Sequence, residues 1–542
     1  MEIITGIGVN GGIAIGPCTI YSRSSEEIKY ITIDDTEHEI SRYEAALEET
    51  LKDLQSLYEK AVVAVGEEAA QIIEVHKMML QDMEYDSSVR NIIHTEKTNA
   101  ENAVYITSSK FSSLFASMDD EYMKERAADV KDASKRLLLR LQGKVSSELK
   151  VTAPCVLMAD DLAPSETVQL DRSMILGFVT KQGSGNSHTA ILARTMGIPA
   201  VVGAVLDLKE DYEGKLVVVD GFTGKIYIDP EPEILEELRT KQSNESARKE
   251  LLKKLKGRES ITPDGQRIKI YANIGNDRDV ENVIENDAEG IGLFRSEFLY
   301  LEKDHYPTEE EQFTAYKTVV ERMEGKKVII RTLDIGADKK VGYFELGEEE
   351  NPALGYRAIR ICLDRISLFK TQLRAIFRAS AFGEVSIMFP MIISLEEVVE
   401  LKKIVEEVKK ELLAEEIPYS SVELGIMIET PAAAIISDLL AKEVDFFSLG
   451  TNDLTQYTLA IDRQNRKIER FYNAHHTAIL RLIELVTKNA HDHGIWVGIC
   501  GELASDLSLT ETFLRLGIDE LSVSPGKVLE IRNKVINQKQ EY

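Results

Sequence analysis

Cysteine is scarce in this 542-residue sequence: Cys18, Cys155, Cys362 and Cys500 stand far apart, with no CxxC pair. That spacing excludes a disulfide-stapled scaffold and a cysteine-rich zinc site, so each thiol is judged alone. Basic residues are also in deficit. With 65 Lys and Arg against 92 Asp and Glu, the net charge is -27. Such a charge repels nucleic acid and anionic lipid and favours metal ions and basic protein surfaces as partners. An anionic substrate then requires a local cluster of arginines. No apolar run approaches the ~18 residues of a membrane span. The start, MEIITGIGVNGG, lacks the basic flank and apolar stretch of a signal peptide. A cytoplasmic protein without membrane insertion is the expectation.

What the chain does hold is the mixture of a globular protein, and at ~100 to 200 residues per domain its length predicts about three units. Residues 1–30 alternate like short strands with turns. Gly6, Gly8 and Gly11 have GxGxxG spacing, but Gly12 to Pro17 reads GIAIGP, a turn-rich strand that cannot open the helix a dinucleotide fingerprint needs. From 31 to 144 the pattern is helical. Thr36 with Glu39 reads as a capping box, and Ile40, Tyr43, Leu47, Leu51, Leu54 and Tyr58 recur at helical spacing. Further stretches run through Ile72, Val75, Met79 and through Val130, Ala133, Leu137, with Gly66 as a break, which predicts an inserted bundle of about four helices.

Residues 145–230 return to strands such as APCVLM, PAVVG and KLVVVDG, an α/β unit expected to pair with the strands of 1–30 as one discontinuous domain. Segment 231–259 is charged and has almost no apolar stripe in its middle, as in a solvated linker helix. From 260 to 542 come eight strand candidates separated by helical stretches: IKIYANI, GIGLFRS, KVIIRTLDIG, VSIMFPMI, ELGIMIET, DFFSLGTND, IWVGICGE and DELSVSP. Eight such repeats predict a (β/α)8 TIM barrel, so the whole reads as a multidomain α/β protein.

Barrels of this kind keep their chemistry at the carboxyl ends of the strands. Those positions are Asn273, Arg295, Arg331, Glu429, Asn452 with Asp453, and Cys500 with Glu502. Arg295 and Arg331, joined by Arg463 beyond strand six, offer planar forks for phosphate and carboxylate oxygens, so the substrate is expected to be a small multiple anion. Glu429 and Asp453 can each supply one carboxylate to Mg2+, which takes its other ligands from water and substrate. The Cys500 thiol at a polar mouth can act as a proton donor.

Among nine histidines only His188 has a context of its own. It lies in GSGNSHTAILARTMGIPAVVG, a Gly-rich turn followed by an amphipathic helix closed by Gly197 and Pro199. The first turn of a helix favours negative charge, and a phosphate carried on a neutral, nucleophilic imidazole is such a charge.

Over nearly its whole length the chain resembles Enzyme I of the sugar phosphotransferase system. The resemblance is carried by GSGNSHTAILAR around His188, GIGLFRSEFLY around Arg295, RTLDIGADK around Arg331, NPALGYRAIR around Arg357, GIMIETPAA around Glu429, FFSLGTNDLTQYTLAIDR with Asn452 through Arg463, and GICGELASD around Cys500. It implies that His188 is phosphorylated, that Arg295, Arg331, Asn452, Asp453 and Arg463 bind phosphoenolpyruvate, that Glu429 and Asp453 hold Mg2+, and that Cys500 donates a proton. It also implies that the helical insertion docks the phosphocarrier protein HPr, with acidic Glu67 and Glu68 facing a basic partner, and that the barrel forms a homodimer. The turn before His188 departs from the family's Gly-Gly-Arg-Thr-Ser-His: this chain has Gly183, Ser184, Gly185, Asn186, Ser187, without the arginine and the threonine.

Two rivals share parts of this pattern. A phosphoenolpyruvate synthase or pyruvate phosphate dikinase adds an ATP-binding domain, for which the chain has neither a glycine-rich nucleotide site nor a spare stretch. A regulatory phosphocarrier with little turnover is distinguished by measuring pyruvate release with and without a carrier protein.

Overall fold

The computed structural model describes every residue except 22–27, 66, 118–120, 145–150, 152, 163–173, 184–188, 191–192, 194–196, 302, 304, 337–341, 348, 464, 466 and 539–542. The chain divides into two compact units, Met1–Arg248 and Lys249–Tyr542.

In the first unit β1 (Glu2–Thr5), β2 (Ile7–Asn10) and β3 (Ile13–Tyr21) join β4 (Cys155–Ala159), β5 (Ile175–Thr180), β6 (Ala200–Val202), β7 (Leu216–Asp220) and β8 (Lys225–Ile228). They form one sheet in the order β1-β8-β7-β3-β4-β5-β6-β2, so strands from both ends of the segment complete one domain around the intervening helices. The glycines of the rejected fingerprint serve this sheet. A Cβ at Gly8 would fall 2.3 Å from the Gly221 carbonyl oxygen, so only glycine lets β2 approach the turn after β7.

The insertion holds five helices among the described residues rather than about four: α1 (Thr36–Val65), α2 (Glu67–Leu80), α3 (Met83–Glu96), α4 (Ala100–Ala116) and α5 (Glu121–Leu141). Two local expectations need correction. The capping box does not form, because Glu39 is drawn to Arg42 and to the Ala100 backbone N–H at 2.6 Å, while Asp35 accepts from His38 N. On α2 the stripe is wider than predicted: among the described side chains Ile73, His76 and Leu80 are buried, with Ile72 and Met79 half-buried against the same core. The two His76 nitrogens each face a carboxylate of α5 at 3.7 Å, Asp129 and Asp132.

The linker helix runs Pro232–Lys253, with proline at its first position, where its missing N–H costs nothing. It is largely exposed, as its sequence suggests, and one side docks on the sheet. Leu238 is buried against Ile13 and Val218, Lys241 pairs with Asp220 at 2.7 Å, and Gln242 donates to the Ile13 carbonyl.

The second unit is a closed barrel of eight parallel strands: β9 (Lys269–Ile274), β10 (Ile291–Arg295), β11 (Val328–Arg331), β12 (Val385–Phe389), β13 (Glu423–Ile428), β14 (Phe446–Leu449), β15 (Trp496–Ile499) and β16 (Glu520–Val523). Outward residues such as Ile270, Ile330, Phe447 and Leu521 form one core with the surrounding helices. Inward residues include Tyr271, Leu293, Ile329, Met388, Met427, Phe446 and Cys500, a smaller core that supports the mouth above it. The Phe446 and Trp496 rings stack there at 4.5 Å. A Cβ at Gly425 would fall 2.3 Å from the Phe446 ring, which the stack holds in place. Gly425→Ala is therefore expected to lower stability by ~1 to 3 kcal/mol through overpacking, read as a drop in denaturant midpoint. An unchanged midpoint would mean that the ring pair moves aside freely. No helix among the described residues is long and apolar enough to cross a membrane.

Candidate active site at the carboxyl ends of the barrel strands

The strand ends surround a cavity of about 520 Å³ lined by Arg295, Arg331, Arg357 and Arg463, by the acids Glu297, Asp334, Glu429 and Asp453, and by Asn452, Met427 and Cys500. The predicted arginines, the Glu429/Asp453 pair, Asn452 and Cys500 thus meet at one place. Asn273 does not share their role, because its amide donates to the carbonyls of Cys500 and Ser522 and ties two strands together.

Each side chain is placed by local structure. Arg295 and Arg331 are the last residues of β10 and β11. Glu429 follows β13, and Thr430 beside it caps the helix Pro431–Ile435, accepting from Ala433 N and donating to the Ile392 carbonyl at 2.7 Å. That anchoring fixes the carboxyl in front of it. Asn452 and Asp453 occupy the first turn of the helix Thr451–Leu459 rather than a strand end, where the positive helix terminus suits an acid. Asn452 and Glu502 hold each other through two hydrogen bonds, Glu502 N to Asn452 Oδ1 at 3.0 Å and Asn452 Nδ2 to Glu502 Oε1 at 3.3 Å.

The cationic side is braced by acids that were not among the residues predicted from the sequence. Arg331 is buried and pairs with Glu297 and, at 2.9 Å, with Asp334; the other oxygen of Asp334 takes Arg357 at 2.9 Å. Burial alone would weaken the Arg331 charge, but Glu297, Asp334 and Glu429 more than offset it and hold the proton above the ordinary arginine range. Arg331 Nε and Arg357 Nε nonetheless remain buried without a hydrogen-bond partner, as does Glu297 Oε2. Buried donors of this kind call for an acceptor, and an anion's oxygens are suitable ones. Arg357, Asp334 and Glu297 all lie inside the motifs that carried the family resemblance, which was the signal available for finding them.

Glu429 is 1% exposed and accepts from Met391 N at 2.6 Å. Burial, then the Asp334 and Asp453 carboxylates, push it up to about 8. Carboxyls repelling one another in a buried place are stabilised by a divalent cation. Among the described residues no three histidine, cysteine or acidic side chains converge on one metal centre. Glu429 and Asp453 are two carboxyls on the lining of this one cavity, close enough for Asp453 to raise Glu429.

Cys500, 4% exposed, reaches the Leu449 carbonyl at 3.7 Å. Burial pushes its thiol up to about 12, with the Ser448 hydroxyl pulling the other way. At neutral pH it keeps its proton, the state a general acid starts from. His188 lies outside the described residues. Next to it Thr189, Ala190 and Ala193 are helical and buried; Gly197 has φ 65°, and Ile198 N bonds the Ala193 carbonyl. Glu67 and Glu68 begin α2, and their side chains are not among those described.

Three family models cover most of the chain: "PEP-utilising enzyme, N-terminal" at residues 5–126, "PEP-utilising enzyme, mobile domain" at 151–224, and "PEP-utilising enzyme, PEP-binding domain" at 249–540. Relatives named phosphoenolpyruvate-protein phosphotransferase include one from Priestia megaterium, 44% identical over 98% of this chain and 93% of its own. Another, from Geobacillus stearothermophilus, is 45% identical over 98% of this chain and 92% of its own.

Proposed function

The chain belongs to the phosphoenolpyruvate-protein phosphotransferase family, and from that premise we propose that phosphoenolpyruvate binds in the barrel cavity, phosphorylates His188, and so supplies a histidine of the phosphocarrier protein HPr. This is the first step of the sugar phosphotransferase system, with pyruvate as the released product. The observation that carries the reading is the convergence of four guanidinium groups, two of them with unpaired buried donors, on the cavity that also holds Glu429, Asp453 and the Cys500 thiol.

In this reading Arg295, Arg331 and Arg463, with Asn452, hold the phosphate and carboxylate of the substrate, and Arg357 is added to them. A His188 ring nitrogen attacks phosphorus in line, the P–O bond to enolpyruvate breaks, and the guanidinium groups take up the charge. Bound by Glu429 and Asp453, Mg2+ would neutralise substrate anionic charge at the same place. Cys500 then gives its S–H proton to the methylene carbon of enolpyruvate. The acids Asp334 and Glu297 keep Arg331 oriented, since a guanidinium held at both sides loses little freedom on binding.

Glu67 and Glu68 on the helical insertion 31–144 are the proposed contact to basic HPr, the α/β domain of 1–30 and 145–230 carries His188, and the linker 231–259 joins them to the barrel of 260–542. Homodimerisation through the barrel belongs to the same reading. His188 must serve both the barrel mouth and the carrier, so movement of its domain is part of each cycle.

A fragment of residues 1–257 is expected to fold and to take phosphate backwards from phosphorylated HPr, yet to gain none from phosphoenolpyruvate. Every proposed substrate ligand lies beyond Lys249, in the second compact unit. Incorporation of labelled phosphate from each donor measures this, and direct labelling by phosphoenolpyruvate would refute the division of labour.

A further inference from the structure

At the mouth of the barrel cavity one hydroxyl joins parts of the site that are far apart in sequence. Tyr457 lies on the helix Thr451–Leu459, four residues after Asp453 and therefore on the same face. Its hydroxyl donates to the Ala353 carbonyl and lies 3.9 Å from Met391 Sδ. Pro352 and Ala353 line the cavity, as does Arg357 at the end of the same short segment.

The segment Asn351–Arg357 is otherwise held from its own side. Arg360 donates to the Leu354 and Gly355 carbonyls, and Tyr356 N donates to Glu349. The Tyr356 hydroxyl donates to Asp364, and Arg357 donates to Asp334. All of these partners belong to the connection between β11 and β12. Among the described residues, the bond from Tyr457 is thus the one hydrogen bond that ties this segment to another part of the barrel.

Two residues beside this junction hold a backbone conformation that side chains seldom adopt. Ala358, next after Arg357, has φ 52° and ψ −125°, and its N–H bonds the Ile335 carbonyl at 2.9 Å. Met391 has φ 59°, and its N–H is the donor to Glu429. Such conformations persist where the surroundings fix them, as at a ligand clamp. Burial raises the Tyr457 hydroxyl above the ordinary tyrosine range; Arg357 pulls the other way, and Asp453, Glu429 and Asp334 add to the rise. The phenol therefore stays a donor at neutral pH.

We propose that Tyr457 is a positioning residue: its hydroxyl latches the segment Asn351–Arg357 to the helix that bears Asn452 and Asp453, so that Arg357 is set for the substrate's anion before the substrate arrives. Asp334 anchors one end of the Arg357 guanidinium, and the buried Nε is left without a partner. Where that donor points is then fixed by the backbone of the segment. With the hydroxyl in place the segment is ordered in advance; without it, the ordering falls to the substrate and lowers its affinity. Tyr457 acts through Arg357, and the inference rests on phosphoenolpyruvate binding in this cavity.

The test uses the full chain with Mg2+ and the variant Tyr457→Phe, which keeps the ring and removes the hydroxyl. By calorimetric titration phosphoenolpyruvate should bind about 2- to 12-fold more weakly, the worth of one ordinary hydrogen bond. In turnover with excess HPr, KM should rise while kcat stays within about 2-fold of native. Reverse phosphorylation of His188 by phosphorylated HPr should be unchanged. A residue that merely supports the fold would lower kcat as well. Arg357→Ala supplies the second axis: in that background Tyr457→Phe should cost no further affinity, because the group it positions is gone. Native affinity in Tyr457→Phe, a fall in kcat as large as the loss of affinity, or losses that add in the double variant would each overturn the latch. A native chain whose phosphoenolpyruvate binding is indifferent to Arg295→Ala would remove the reading of the site, and the latch with it.

Discussion

With alanine in place of His188, no phosphate should pass from phosphoenolpyruvate to the protein, while phosphoenolpyruvate should bind about as tightly as before. The loss should be complete because the proposed nucleophile is gone, and binding should survive because the proposed substrate donors all belong to the barrel unit. Arg295 provides the contrast. It is exposed within the cavity rather than locked into a buried pair, so Arg295→Ala tests binding without leaving a stranded carboxylate in the core. A charge-assisted hydrogen bond is worth ~1.5 to 3 kcal/mol, so this substitution should weaken binding by about 10- to 150-fold. Calorimetric titration separates the two variants. Equal losses of binding would mean that the histidine and the arginine serve one site.

Replacing Cys500 by alanine should leave binding and the reverse phosphorylation of His188 by HPr intact, because the thiol acts only after the P–O bond has broken. Pyruvate formation should slow by ~10^2 to 10^4, the usual contribution of a positioned acid. A thiol pushed up to about 12 keeps its proton through the neutral range, so loss of that proton should not limit the first turnover of the native chain there. In deuterated water the native chain should add the new hydrogen to one face of enolpyruvate, and the alanine variant should lose that selectivity. Selective labelling at a normal rate in the variant would return Cys500 to the role of an inward packing residue beside Met427 and Phe446.

The barrel was legible because eight strand–helix repeats follow one another, and polar residues at or just beyond several strand ends gather on one rim, so Arg331, Glu429 and Cys500 were found without knowing a single contact. Periodicity also marked the bundle, including Ile72 and Met79 on the packed side of α2, although the most buried residues there lie one position on. What sequence could not show were pairings between distant positions. Glu39 has the right spacing for a capping box, but Arg42 and the backbone of Ala100 compete for its carboxylate, and only the folded bundle brings Ala100 there. Asp334 and Glu297 likewise look like ordinary loop acids until β10 and β11 lie side by side and Arg331 stands between them. Glu520 is the extreme case. An acid at the start of a strand reads as surface, and its burial follows from glycines on two other strands.

The central claim, that this chain carries phosphate from phosphoenolpyruvate on one histidine, is tested most directly by incubating the protein with labelled phosphoenolpyruvate and Mg2+ and mapping the phosphopeptides. The expected result is one acid-labile phosphate per chain, on the peptide containing His188. Label that is stable to acid, or that sits on any peptide without His188, would contradict it.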